Sequence, residues 1–574
     1  MIRIGNASGF YGDRSTAWRE MLDGGELDVL TGDYLAELSM LILGRDRLRD
    51  SSLGYAKTFL TQLEGILGTA LERGVRIVTN AGGVNPAGLA AAIGTLADRL
   101  GLTVRVGHVE GDALARPDAL TANAYLGAFG IAACLEAGAD VVVTGRVTDA
   151  SLVVGPGIAR FGWRRDDLDA LAGATVAGHL IECGAQVTGG NFSFFTELPD
   201  GGRRPGFPVV ELHPDGSSVI TKHPGTGGAV TVETVTAQLL YEIGGPDYLG
   251  PDVVTRLDTV TLHQDGPDRV RVSGTRGTPP PATLKVGVNN LGGFRNSMTF
   301  VLCGLDVPAK AALVREQIEA AVGPAGLEFR LARTDHVDAD DTETASALLH
   351  VHLRDGDRAR AGRAFSAAAV ELALASYPGC TLTTLPGDAT PYGVFTSDTV
   401  PQDAVAHVAV LPTGERVPIP PPPLTCEQGP PAAHKSPVGV PSYHLRRGAL
   451  GKLVGARSGD KGGDANLGVW ARSEPAYAWL RGWLTVERLG ELLPETAGLT
   501  VERYELPDLR AVNFVIRGLL GQGVAASTRF DPQAKALGEL LRARIVDLPA
   551  ELLPAEGTTR SAPPDVRGGA EDRR

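Results

Sequence analysis

Short runs of β-branched and other apolar residues alternate with amphipathic stretches through the first third of the chain. Ile2-Arg3-Ile4-Gly5, Leu27-Asp28-Val29-Leu30, Val75-Arg76-Ile77-Val78, Thr103 to Val109 and Asp140-Val141-Val142-Val143 predict five strands. Between them, Trp18 to Leu22, Tyr34 to Leu43, Ala56 to Arg73, Pro86 to Leu100 and Ala122 to Glu136 carry helical spacing. Buried strands separated by helices argue for a parallel sheet covered on both faces.

From about Gly206 the pattern shifts to strands joined by turns: Val209 to Leu212, Ser218 to Thr221, Val253 to Leu262 and Arg269 to Val272. Helical spacing returns at Ala309 to Val322 and Ala361 to Ser376, with His350 to Leu353 alternating like a strand. Pro418 to Pro423 and the polar stretch to Ser442 read as an extended linker. A last unit combines strands at Lys452 to Gly455, Leu467 to Ala471, Thr500 to Tyr504 and Asn513 to Arg517 with helices at Ala476 to Leu480, Glu487 to Leu493 and Pro532 to Val546. The class is α/β: a Rossmann-like parallel-sheet domain at 1–195, a mixed α+β domain at 196–411, a Pro-rich linker at 412–447, a small α/β domain at 448–548 and a disordered tail at 549–574.

Composition narrows the functional classes. A net charge of −13 repels phosphate backbones and anionic lipid, so neither nucleic acid nor a membrane is an expected partner. The five cysteines lie far apart with no C-x-x-C spacing, which suits a reducing cytoplasm and excludes a disulfide scaffold. No apolar run has the length of a signal peptide or a membrane span, and a cytoplasmic location is expected. The 74 glycines cluster at the ends of apolar runs, where tight turns or close ligand approach require them. Arg outnumbers Lys heavily, which draws attention to any lysine in a glycine-rich loop.

No P-loop, H-E-x-x-H, G-x-S-x-G or G-x-G-x-x-G motif is present. The chemistry is carried instead by the loops that follow the five strands: Gly5-Asn6-Ala7-Ser8, Thr31-Gly32-Asp33, Thr79-Asn80-Ala81-Gly82-Gly83, Glu110-Gly111-Asp112 and Thr144-Gly145-Arg146-Val147-Thr148-Asp149. In a parallel sheet these ends emerge on one edge, where ligands bind. Turns and helix caps select the same residue types, so any single loop has a structural explanation; five together point to a shared pocket. Asn6, Ser8, Asp33, Asn80, Gly82, Gly83, Arg146 and Thr148 are assigned to substrate binding. Arg146 suits a carboxylate or phosphate, and Asp149 suits a base, a metal ligand or a helix cap. His179 and Glu182, in Gly178-His179-Leu180-Ile181-Glu182-Cys183, join Asp149 as candidates for proton transfer, while Cys183 reads as structural. Lys222 in Thr221-Lys222-His223-Pro224-Gly225 and Lys461 in Ser458-Gly459-Asp460-Lys461-Gly462-Gly463 are candidate anion contacts. The latter segment reads as a long polar loop between two strands. Converging carboxylates could ligate Mg²⁺, although no metal site or other cofactor is specified by a motif.

Several of these segments together carry a resemblance. Ile4 to Asp13, Gly32 to Glu37, Thr79 to Gly83, Asp140 to Ala150 and Ala177 to Gly184 resemble the acyclic terpene utilisation AtuA family, and Ala456 to Gly462 resembles its small C-terminal unit. Members are named for breakdown of acyclic terpenes such as citronellol and geraniol, which proceeds through acyl-CoA thioesters. The resemblance implies an enzyme acting on a branched organic acid or its CoA thioester by hydratase or lyase chemistry; a homo-oligomer is expected separately, as for a cytoplasmic chain of this kind. The alternative is a non-catalytic accessory or scaffold subunit of an acyl-CoA pathway.

Overall fold

A computed structural model describes residues 1–427 and 443–554. The protein is mixed α/β with several sheets, and its helices and strands fall into two compact units. Among the described residues, the larger unit takes in 1–288, 396–427, 443–524 and 533–554; the smaller takes in 289–395 and 525–532.

At the centre of the larger unit lie five parallel strands in the spatial order Ile2–Asn6, Val29–Gly32, Arg76–Thr79, Val141–Thr144, Val106–Glu110. Alternation along them divides their side chains between two cores. Ile4, Val29, Val78 and Val142 pack beneath the helices Phe129–Glu136, Ser151–Phe161 and Leu168–Glu182. Leu30, Ile77, Val141 and Val143 face Trp18, Phe59, Leu89 and Ile93 on the other side. Helix Pro86–Leu100 shows local signals agreeing with this packing: the Asn85 side chain accepts from the Gly88 amide, Pro86 opens the helix, and Gly101 closes it at φ 68°.

The sheet does not stop at its parallel centre. Pro208–Leu212, Ser218–Lys222, Val270–Ser273 and Thr261–Gln264 add antiparallel strands beyond the first strand, and Val408–Val410 and Arg416–Pro418 add two beyond Val106–Glu110. It is therefore an eleven-stranded mixed sheet, into which the stretch 196–411 feeds several strands.

Several predicted elements differ, Val253 to Leu262 among them, which a 3-10 turn at Leu257–Thr259 divides into the strands Val254–Arg256 and Thr261–Gln264. Ala56 to Arg73 breaks at Gly65 into Lys57–Glu64 and Leu67–Arg73. Ala122 to Glu136 is helical only from Phe129; Ala119–Ala124 is a strand because its backbone pairs with Asp112 to Leu114, Ala124 N–H bonding to the Asp112 carbonyl and Leu114 N–H to the Ala122 carbonyl, and with strand Thr283–Cys303. Pro532 to Val546 keeps a helix at Leu537–Arg542, and Ile545–Pro549 leaves it to pair with Leu445–Ala449.

The C-terminal part of the larger unit is a four-stranded antiparallel sheet in the order Val454–Lys461, Asp464–Ala471, Ala511–Ile516, Val501–Leu506. Its core includes Leu467, Trp479, Leu480 and Phe514. The polar segment around Asp460 is not a long loop. Both of its sides are strand, and Gly462-Gly463 alone makes the turn, with Gly462 at φ 66°.

The smaller unit pairs Leu327–Ala332, Ser346–Asp355, the part of strand Thr283–Cys303 from Asn289 onward and Thr381–Leu382, over a core of Met298, Phe300, Leu349, Val351 and Phe365. Of the expected linker and tail, 428–442 and 555–574 lie outside the described residues. Among the described residues no helix is long and apolar enough to cross a membrane.

Candidate functional site

Direct contacts tie the loops at the carboxyl ends of the parallel strands to one another. Thr31 Oγ1 donates to Asn6 Oδ1 at 3.1 Å. Asn80 Nδ2 donates to Asp33 Oδ1 at 2.6 Å, and its Oδ1 accepts the Tyr34 amide at 2.8 Å. At Gly82 a Cβ would lie 2.4 Å from the Thr144 carbonyl oxygen, so only glycine lets the third loop close against the fifth. Asp112 in turn accepts the Arg146 amide at 2.9 Å.

Helix Leu168–Glu182 brings in a second wall. His179 and Glu182, one turn apart on it, meet at 3.0 Å between Nδ1 and Oε1. The end of this helix is pinned by Asn6, whose Nδ2 donates to the carbonyls of Ile181 at 2.6 Å and Glu182 at 3.0 Å. Glu182 is 9% exposed, and its Oε2 is buried with no hydrogen-bond partner.

The third wall joins the segment 240–248 to the hairpin of the C-terminal sheet. Asn466 Nδ2 donates to the Leu240 carbonyl at 3.0 Å, and its Oδ1 accepts the Glu242 amide at 2.8 Å. These bonds hold Glu242 at φ 57°, a left-handed conformation costly for a non-glycine residue. Lys461 Nζ donates to the Glu242 carbonyl at 2.9 Å and stands 5.8 Å above the Tyr248 ring, which itself packs 5.3 Å from the His179 ring. Tyr125 carries two cations: the Arg146 guanidinium at 4.1 Å and the Lys285 ammonium at 4.7 Å from its ring centre.

Burial and crowding set the protonation of this cluster. Asp33 and Glu182 are pushed well above the carboxylate range, by burial first and then by the negative charge of Asp149. Burial likewise raises Glu37, whose Oε2 is also buried without a partner. Asp460 is pushed up to about 8 by burial, reinforced by Glu242 and Glu37. His179 is lowered to about 4, chiefly by burial, and is neutral near pH 7. The charge on Arg146 is disfavoured by burial, but Asp149, 2.8 Å away, together with Tyr125 and Asp33 outweighs this and keeps it charged. Lys461 is lowered to about 8 by desolvation and by the nearby Lys285. Both lysines are exposed to solvent although protein atoms surround them closely.

Of the residues singled out from the sequence, Asn6, Asp33, Asn80, Arg146, Asp149, His179, Glu182 and Lys461 come together here. Asn6 and Asn80 spend both ends of their amides on protein partners, so they position neighbours. The Asp149 carboxylate serves Arg146 and leaves the following helix uncapped. Ser8 Oγ donates to the Phe10 carbonyl, Thr148 shares a hydrogen bond with Ser151, and Gly83 shapes the third loop at φ 55°. Lys222 lies apart from these contacts: its ammonium is held by Asp268 at 3.1 Å and the Thr226 carbonyl at 2.7 Å. Lys285, Tyr125, Glu242 and Tyr248 were not singled out, since each sits in an unremarked strand or turn; the Gly244-Gly245 pair after Glu242 was the nearest signal. Among the described residues no group of three or more His, Cys, Asp or Glu side chains is arranged to hold a metal ion.

The sequence model of the acyclic terpene utilisation family protein AtuA matches residues 2–119 and 113–411, and that of the AtuA ferredoxin-like domain matches 449–547. The chain belongs to the AtuA family. Both matched regions of this AtuA protein contribute to the cluster, since Lys461 comes from the ferredoxin-like domain and Asp33, Arg146 and Glu182 from the larger one. No curated protein and no solved structure matches the chain.

Proposed function

We propose that this AtuA protein is an enzyme that moves protons on a branched organic acid or its acyl-CoA thioester, adding or removing water or performing related lyase chemistry. The observation that carries this reading is the orphaned Glu182 Oε2, set among cations and next to a neutral histidine. A buried carboxyl oxygen without a partner is costly unless a ligand supplies one. Held protonated, Glu182 is the general acid that delivers a proton to a departing hydroxyl. Asp149, 28% exposed at its side chain, faces the crevice as the base. His179 fixes the orientation of Glu182. Arg146 and Lys285 stabilise the negative charge that develops on a carbonyl or carboxylate oxygen.

The finer fold assignment belongs to this reading: the parallel centre is Rossmann-like in presenting its ligand at the strand ends. So do a cytoplasmic location and a homo-oligomeric state. Lys222 has no place in the substrate site on this reading, because its charge is already matched. A scaffold subunit would leave the buried ionisable cluster without a purpose.

Isothermal titration of the full chain against acyl-CoAs and free branched acids, followed by NMR of α-proton exchange into D₂O, tests the proposal. Wild-type protein is expected to bind and exchange. Glu182→Gln is expected to bind but turn over at least about a hundredfold more slowly. Folded protein that neither binds nor exchanges any member of the panel would refute it.

A further inference from the structure

Lysine is scarce in this chain, with eight in all, and their settings differ sharply. Lys57 and Lys222 are paired with carboxylates, at 3.2 Å from Asp46 and 3.1 Å from Asp268. Lys461 has no carboxylate within ion-pair distance among the described residues; its Nζ is held by a backbone carbonyl, that of Glu242. The hairpin that carries the lysine is closely packed. At Gly459 a Cβ would meet the Tyr241 ring at 2.4 Å, and at Gly463 the Gly521 carbonyl oxygen at 2.3 Å, so the hairpin tip is seated tightly.

We propose that Lys461 is a covalent catalyst that forms an iminium with the carbonyl carbon of an oxo acid or oxo-acyl thioester bound in the crevice. The proposal rests on the proton-transfer reading of the same crevice and names its substrate class. Neutral Lys461 attacks the carbonyl carbon, forming a C–N bond and a carbinolamine. Loss of the carbinolamine oxygen as water takes one proton from the amine nitrogen and one from the Glu182 carboxylic acid. This leaves a protonated imine and the Glu182 carboxylate, so atoms and charge balance. The iminium then withdraws electrons from the adjacent carbon, where a proton is removed or a carbon–carbon bond breaks.

The surroundings suit each step. Lys285 supplies a second positive charge that discourages protonation of Lys461, and desolvation acts in the same direction. Burial keeps Glu182 in the acid form needed for dehydration. Neutral His179 packs its ring against Tyr248, the same ring over which Lys461 stands, and keeps its Nδ1 on Glu182.

The test uses the full-length protein, acetoacetate or 2-oxobutyrate as probe, cyanoborohydride as trap, and peptide mass mapping of the lysines. Near pH 7, reductive labelling is expected at Lys461 at least about tenfold faster than at Lys57 or Lys310, from the larger fraction of free amine. Lys461→Arg removes that label while the circular dichroism spectrum is unchanged. Lys285→Met moves the pH profile of Lys461 labelling to more alkaline pH, a change that a merely structural lysine would not show. Labelling spread over the lysines by exposure alone, or a Lys461 profile unmoved by Lys285→Met, would overturn the proposal. If α-proton exchange persists in a folded Lys461→Arg variant, the iminium falls and the acid–base reading stands; if trapping at Lys461 survives with exchange absent from wild type, the reverse holds.

Discussion

Asp460 offers a quantitative check on the buried cluster. Its carboxyl is pushed up to about 8 from an ordinary value of 3.8, by burial and then by the charges of Glu242 and Glu37. An acid raised in the folded state keeps its proton where the unfolded chain has already lost it. From about pH 4 to about pH 8 the wild type therefore loses stability with rising pH, by up to about 1.4 kcal/mol per unit, and the loss levels off above pH 8. At pH 7 the three units passed since the unfolded value amount to about 4 kcal/mol, and the partial solvent exposure of Asp460 reduces this to about 2–4 kcal/mol. Asp460→Asn keeps an acceptor for the Gln533 side chain, 3.5 Å away, while removing the ionisation. The variant is expected to be more stable than wild type at pH 7, raising Tm by about 2–4 °C in a body of this size. Differential scanning calorimetry of both proteins from pH 5 to pH 9 reads the effect directly. The gap between them should widen steadily to about pH 8 and then stay constant. A gap that is flat or narrows over that range would show that Asp460 is ionised in the native crevice and that the cluster has been misread.

Two further expectations follow from the same contacts. Asn6→Ala removes two donors from the end of the Leu168–Glu182 helix and leaves the Ile181 carbonyl buried, at a cost of about 2–4 kcal/mol by thermal melting; a loss under about 0.5 kcal/mol would mean that Asn6 does not hold the helix. His179, lowered to about 4, should show no change in its ring NMR shifts between pH 6 and pH 8, and a titration inside that window would place it in contact with an ionised partner.

Local patterns in the chain already specify the parallel strands, because Val141-Val142-Val143 and Val75 to Val78 can bury both faces only inside a covered sheet. They also specify the strand-end loops, since Asn80, Gly82 and Arg146 follow directly on those strands and chain connectivity alone brings them to one edge. The Asn85 cap and Gly101 stop are equally local, and they set one helix to within a residue. Nothing local separates Ala119–Ala124 from the helix after it: that segment becomes a strand because its backbone pairs with Asp112 to Leu114 and, through the Tyr125 amide beside it, with the Lys285 carbonyl far along the chain. The same holds for the crevice. Glu242, Lys285 and Lys461 lie far apart along the chain in stretches whose periodicity is that of ordinary strands and turns. Packing of the ferredoxin-like hairpin on the 240–248 segment brings Lys461 and Glu242 together. Protonation is likewise a tertiary property: Glu182 is an acid and His179 neutral because the fold removes water from them and surrounds them with other charges, which no residue's own type encodes.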